Sequence, residues 1–306
     1  MAVAVGRNAG LSDTGRKRRQ NEDAYVCEPP LFAIADGMGG AQAGEVASRL
    51  AAAAFEEGAA AIHGEEGVAT VVRAANARIF ERAVQDPTVA GMGTTATVAV
   101  VDGAASTVTL AHVGDSRAYL YRQGVLEQLT TDHSLVGELV RSGRLTEDEA
   151  AVHPHRSVIT RALGTDADVE VDTLTLEAVP GDLVLLCSDG LSAMVRDEEI
   201  ARVLSVTDGA PAEAAEALVA AANAAGGEDN VTVVLFELVD PDVEPAPTLV
   251  PGAEEVQGDD EDGPDGPTLE DVRRHGAGKG SRWPALLALL AILATAAVVL
   301  WWSLLR

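Results

Sequence analysis

The chain has 306 residues, 47% hydrophobic but only 3% aromatic, so a sizeable core can form but must be built mostly from Ala, Val and Leu. Acidic residues outnumber basic ones 48 to 22, a formal net charge of −26, which argues against nucleic acid as a partner because a phosphate backbone needs clustered Lys and Arg. The acidity is not confined to one end, since residues 1–239 hold 36 acidic and 17 basic side chains, a net −19.

Residues 1–10 lack the long apolar stretch of a secretory signal. Cys27 and Cys187 supply neither a disulfide framework nor a zinc spacing and are expected as buried reduced thiols. In chain order, Leu31–Ala35 reads as a buried strand, and residues 44–61 and 68–84 read as Ala-rich helices. Residues 94–101, 106–113 and 117–121 read as three successive strands joined by turns at Asp102-Gly103 and Gly114-Asp115. A helix over 134–142 follows, then a buried strand at 183–187, helices at 197–204 and 212–225, and a last strand at 231–236. Strands in runs and helices in separate pairs predict an α+β fold, with packed antiparallel sheets and helices outside, rather than regular βαβ alternation.

Residues 241–282 are dominated by Pro, Gly, Asp and Glu and keep no apolar period, which predicts a disordered linker. Residues 284–305 contain no charge, and a helix of that length spans about 33 Å against a hydrocarbon core of ~30 Å. Trp283, Trp301 and Trp302 bracket it as interfacial anchors, so 283–305 is expected to be one transmembrane helix. Arg273, Arg274, Lys279 and Arg282 precede it and only Arg306 follows, which places residues 1–240 on the cytoplasmic side of the cell membrane.

Acidic turns recur through the globular part: Asn21-Glu22-Asp23, Asp36-Gly37-Met38-Gly39-Gly40, Gly114-Asp115-Ser116-Arg117, Ser188-Asp189-Gly190 and Asp229-Asn230. A single Asp-Gly is an ordinary turn. Several of them, most closing an apolar strand beside a Gly that admits close approach, suggest converging carboxylates. With no Cys or His among them, the donors favour hard ions such as Mg²⁺ or Mn²⁺ over zinc.

The motifs also stand in a familiar order: Arg18-Arg-Gln-Asn-Glu-Asp23, Ala35-Asp-Gly-Met-Gly-Gly40, Gly93-Thr-Thr95, His112-Val-Gly-Asp-Ser-Arg117, Thr131-Asp-His-Ser134, Ile159-Thr-Arg-Ala-Leu-Gly164, Ser188-Asp-Gly-Leu191 and Glu228-Asp-Asn-Val-Thr232. Over roughly residues 5–238 the chain resembles the metal-dependent protein phosphatases, the type 2C serine/threonine phosphatases, in their bacterial branch. That resemblance implies a central antiparallel β-sandwich flanked by helices in α-β-β-α layers. It implies a catalytic domain over 1–240 that hydrolyses phosphoserine and phosphothreonine by in-line attack of metal-activated water, releasing inorganic phosphate.

The resemblance also implies roles. Asp36 would bridge two Mn²⁺ or Mg²⁺ ions, with the Gly37 carbonyl on the first; Asp189 and Asp229 would hold the second. Asp115 with Asp189 matches the third-metal site of bacterial members. Glu22 and Asp23 match outer-shell positions, and Arg18 matches the phosphate-binding arginine, a role its planar fork suits. The other cations of 16–19 read as solvated charges. Met38 stands where many eukaryotic members carry the His thought to protonate the leaving oxygen, so that proton donor is left unassigned; a metal-bound water and His133 are the candidates, and the Asp-His-Ser turn is expected rather to shape the loop over the site. Residues 134–158 resemble the flap of bacterial members, with Gly137 and Gly143 permitting motion. Expected partners are phosphorylated proteins, among them a transmembrane serine/threonine kinase. The competing expectation, a membrane-tethered scaffold without catalysis, requires loss of the metal carboxylates, and Asp36, Asp189 and Asp229 are all present.

Overall fold

The computed structural model describes residues 2–39 and 43–242. The predicted linker beyond residue 242 and the predicted membrane helix 283–305 lie outside the described residues. Among the described residues no helix is long and apolar enough to cross a membrane.

The chain begins with strands β1 (Ala4–Asp13), β2 (Asp23–Glu28) and β3 (Leu31–Met38), then helices α1 (Ala43–Gly58) and α2 (Gly64–Gln85). A run of strands follows: β4 (Gly93–Thr94), β5 (Ala96–Asp102), β6 (Thr107–Val113), β7 (Arg117–Arg122) and β8 (Val125–Gln128). Two short helices, α3 (Leu135–Arg141) and α4 (Glu147–Ala151), precede β9 (Asp172–Glu177) and β10 (Leu183–Cys187). Helices α5 (Asp189–Ser192), α6 (Asp197–Val206) and α7 (Pro211–Ala224) lead to β11 (Val231–Val239).

Two antiparallel sheets result. One is ordered β1-β11-β10-β7-β8; the other is β2-β3-β5-β6-β9, with β4 paired to the end of β3. The sheets face each other through Phe32, Ile34, Leu110, Val184, Leu186 and Val234, and Phe32 stacks on Phe236 with ring centroids 4.0 Å apart. The alternate residues point outward: Ala33, Ala35 and Val98 pack in the cluster of α1 and α2, and Leu185, Cys187, Val233 and Leu235 in the cluster of α5–α7. The predicted α-β-β-α layering is therefore present. It explains why Leu31–Ala35 and Leu183–Cys187 read as unbroken apolar runs, since both faces of those strands are covered.

Strands β1, β2, β8 and β9 were not anticipated. β1 carries Gly, Arg and Asn and is only half-buried; its extended form comes from the ladder with β11, with an irregularity between Val5 and Asn8. β8 and β9 are sheet-edge strands whose exposed alternate positions dilute the apolar signal. The predicted strand 94–101 is interrupted at Thr95, whose backbone N–H leaves the ladder to donate to the Asp36 carbonyl at 2.9 Å. That diversion is part of the site.

Candidate metal centre

Register brings the acidic turns to one end of both sheets. Asp23, the first residue of β2, lies directly opposite Asp36 near the end of β3. Asp115 follows the end of β6, Asp189 opens α5 just after β10, and Asp229 lies two residues before the start of β11. Gly37 has to be Gly: a Cβ there would collide with the backbone carbonyls of Glu22 and Gly44. Gly190 is likewise pressed on the Asn230 carbonyl, which sets α5 against the Asp229 turn.

Asp36 is held through its backbone. Its N–H donates to Thr95 Oγ1 at 3.0 Å, and its carbonyl accepts from Thr94 Oγ1 at 2.9 Å. Thr95 Oγ1 also bonds Ser116 Oγ at 2.7 Å, which ties Asp36 to the Asp115 turn. The Gly93-Thr94-Thr95 motif is thus a bracket between two carboxylates. Asp23 Oδ2 accepts from Thr232 Oγ1 at 2.6 Å, while Asp23 Oδ1 and Asp115 Oδ1 are buried without a hydrogen-bond partner.

Crowded, buried carboxylates resist ionisation. Burial, then the neighbouring Asp23, Asp189, Asp115 and Asp229, push Asp36 well above the ordinary carboxylate range. Burial first, then Asp189, pushes Asp115 up, and burial first, then Asp229, raises Asp189. Asp23 and Asp189 are the neighbouring carboxylates that raise Asp36 most, so the three crowd one another. Among the described residues no three His, Cys, Asp or Glu side chains are set as a ready-made metal cage. Asp229 Oδ2 is instead engaged by Arg18 Nη2 at 2.6 Å. The donor chemistry nonetheless fits divalent cations: it is all oxygen and strongly acidic, and it leaves two buried carboxylate oxygens unpartnered.

Asn230 is the organising residue that the sequence alone did not single out. It is buried, its Oδ1 accepts from the Glu22 N–H at 2.8 Å, and its Nδ2 donates to the Thr14 and Gln20 carbonyls, both at 2.9 Å. One amide thereby pins both ends of the loop carrying Arg18 onto the turn carrying Asp229. The sequence placed it in the Glu228-Asp-Asn-Val-Thr232 motif without giving it a role.

His133 is committed on both ring nitrogens. Its Nδ1 accepts from the Gly114 N–H at 3.0 Å, which leaves the proton on Nε2, 3.1 Å from Asp172 Oδ2. Its own N–H returns a 2.7 Å bond to the Gly114 carbonyl. Arg117 clasps Asp132 through Nε and Nη2 at 3.0 and 2.8 Å, so the 131–134 loop braces the Asp115 turn from two sides. His133 shapes that loop and is not free to protonate a leaving group. His133→Asn, whose Oδ1 can replace Nδ1 as acceptor, is expected to keep most activity and Mn²⁺ affinity. His133→Gln is expected to lose roughly tenfold in Mn²⁺ affinity by calorimetry. Equal affinities for the two variants would contradict this role. His112, near the end of β6, is buried beside His133, with its Nδ1 3.0 Å from Thr97 Oγ1.

Two sheets thus deliver aspartates to one edge with an arginine beside them, an all-oxygen donor set suited to divalent cations. A profile of the protein phosphatase 2C family matches residues 16–223, and the chain belongs to that family. It is 44% identical over 258 residues to the serine/threonine protein phosphatase PstP of Mycobacterium tuberculosis, a match covering 83% of this chain and 49% of that protein. The chain therefore spans about half the length of that relative. It is 42% identical over 238 residues to the serine/threonine phosphatase stp of Listeria monocytogenes, covering 74% of this chain and 93% of that one. The fold is similar to the crystal structure of the PstP catalytic domain in complex with two manganese ions, with a TM-score of 0.71 and 42% identity over 78% of this chain and all of that one.

Proposed function

We propose that the chain is a protein serine/threonine phosphatase that uses Mn²⁺ or Mg²⁺. The observation that carries this is the cluster of Asp23, Asp36, Asp115 and Asp189, with two buried unpartnered carboxylate oxygens, beside Arg18 and Asp229. Asp36, the Gly37 carbonyl, Asp189 and Asp229 would hold two cations; Asp115 with Asp189 would hold a third, and Glu22 and Asp23 would lie outside them. Such cations, when bound, lower the pKa of water and neutralise phosphoryl oxygens during in-line displacement.

The chain's own residues supply orientation and electrostatics. Arg18 spends Nη2 on Asp229 and keeps its remaining guanidinium donors for the phosphoryl oxygens. Thr94 and Thr95 fix Asp36, and Asn230 fixes the Arg18 loop. Neither Met38, which has no proton to give, nor His133, engaged on both nitrogens, serves as acid for the leaving oxygen. A non-catalytic scaffold would have no use for a cluster whose mutual repulsion costs stability.

The full chain in nonionic detergent is expected to hydrolyse a phosphothreonine peptide with Mn²⁺, to lose that activity in EDTA and to regain it on Mn²⁺ addition. Turnover that persists in EDTA, or none with Mn²⁺, would defeat the proposal. We also propose that 283–305 anchors the enzyme in the cell membrane with residues 1–240 cytoplasmic, where it would oppose a transmembrane serine/threonine kinase. The uncharged length of 284–305 and the preceding Arg and Lys residues support this. The full chain should sediment with membranes after alkaline carbonate washing, and recovery in the wash would rule the anchor out.

A further inference from the structure

Among the described residues most cations are neutralised. Of the 17 Lys and Arg residues in 1–239, 13 stand within 4.0 Å of a carboxylate. The exceptions among the described residues are Lys17, Arg19, Arg141 and Arg144, all exposed. Arg141 Nη1 donates to the Asp132 carbonyl at 2.9 Å and Arg144 Nε to Ser142 Oγ at 3.0 Å, neutral acceptors that leave both charges uncancelled.

These four are not scattered. Lys17 and Arg19 flank Arg18, on a loop fixed to the catalytic turn: the N–H groups of Arg16 and Lys17 donate to the Gly227 carbonyl at 2.7 and 3.1 Å, and Asn230 holds Gln20. Arg141 and Arg144 lie in the 134–158 segment. That segment starts at the His133–Gly114 clasp and reaches Glu228, the neighbour of Asp229, through Arg156 at 3.3 Å. Both segments are therefore tied to the acidic turns, the first at Gly227 and Asn230 and the second at Gly114 and Glu228. Among the described residues the cations without a carboxylate partner thus lie on two segments held to the turns that carry the carboxylates.

We propose, resting on the phosphatase reading above, that the phosphorylated segment accepted by this site carries Asp or Glu close to its phosphoresidue. Lys17 and Arg19 recognise those carboxylates, with Arg141 and Arg144 contributing from the 134–158 segment. An extended peptide advances about 3.3 Å per residue, so side chains within three positions of the phosphoresidue fall inside roughly 10 Å of Arg18. That is about one Debye length at physiological salt, within which local cations still act while the wider net negative charge of the domain is screened. Charge complementarity of this kind sets partner choice and encounter more than the chemical step.

The test uses the full chain in nonionic detergent with Mn²⁺ and phosphothreonine peptides of one length, flanked by Asp/Glu, by Asn/Gln or by Lys. The substrate p-nitrophenyl phosphate, which has no flanks, serves as control. The acidic peptide is expected to exceed the neutral one in kcat/KM by about tenfold at low salt, through KM. The preference should fall to about twofold or less in Lys17→Gln/Arg19→Gln, and persist in Lys17→Arg/Arg19→Lys. All forms should hydrolyse p-nitrophenyl phosphate equally. Equal kcat/KM for acidic and neutral peptides, or a preference undiminished in the Gln variant, overturns the proposal and leaves the phosphatase reading standing. No turnover of any substrate overturns both.

Discussion

Replacing Asp36 by Asn is expected to lower phosphatase turnover by about 1000-fold or more while making the metal-free protein more stable. The two effects share one cause. Asp36 sits centrally among the aspartates, raised well above the ordinary range by burial and by Asp23, Asp189, Asp115 and Asp229. A carboxylate placed so is favourable only with cations to neutralise it. Asn keeps the shape and the Thr94 and Thr95 bonds to the backbone, but removes the charge that would join two ions.

The sign of the pH dependence follows. A carboxyl whose folded pKa is raised above its unfolded value lets the folded state hold the extra proton, so its contribution is full at low pH and is lost as pH rises through the folded value. The ordinary carboxyl value of 3.8 opens the window, and the folded values of Asp189, pushed up to about 6, and Asp115, pushed up to about 8, close it. In EDTA the Tm of the parent chain should fall from about pH 4 to about pH 8. Mn²⁺ should raise it more at pH 8 than at pH 6. In Asp36→Asn the fall should be shallower, and the metal-free Tm at pH 8 higher by a few degrees, for roughly 1–2 kcal/mol of relieved repulsion. A metal-free Tm that climbs over this range, or an Asn variant less stable than the parent at pH 8, would contradict the crowded-cluster account.

Asn230→Ala is expected to have the largest effect on stability. It removes three hydrogen bonds, those to the Glu22 N–H and to the Thr14 and Gln20 carbonyls, near a buried position, at about 1 kcal/mol each and roughly 3 kcal/mol together. At 2–4 °C per kcal/mol for a domain of this size, Tm should drop by roughly 6–12 °C. Because the same amide pins the Arg18 loop, kcat/KM for a phosphopeptide should fall at least about tenfold below the Tm. Asn230→Asp, which keeps the acceptor for Glu22 but loses both donors and adds charge beside Asp229, should do little better. A Tm within 2 °C of the parent for the Ala variant would show that the loop is held by something else.

What was legible beforehand has a pattern. Strands buried on both faces, such as Leu183–Cys187, were placed to the residue, because an unbroken apolar run bounded by turns is a local signal. The edge strands β1, β8 and β9 were not, because an edge strand is extended chiefly by its partner's ladder. The site divides in the same way. Its aspartates stood out because most of them lie at the end of an apolar strand beside a small residue. Their supports did not: Thr95 meets Asp36 across 59 positions, Asn230 meets Glu22 across 208, and His133 meets Gly114 across 19.

The amino-acid sequence by itself determined the chemistry available, namely oxygen donors suited to hard divalent ions, one well-placed arginine among them, and an uncharged segment long enough for a bilayer. Only the tertiary structure decided how those groups stand. It paired Arg18 with Asp229, occupied both nitrogens of His133, made Asn230 the clasp between two loops, and left Lys17 and Arg19 the uncancelled charges beside Arg18. The reason is that composition and periodicity are properties of neighbours along the chain, whereas a hydrogen bond or an ion pair is settled by which distant residues the packed sheets bring within 3 Å.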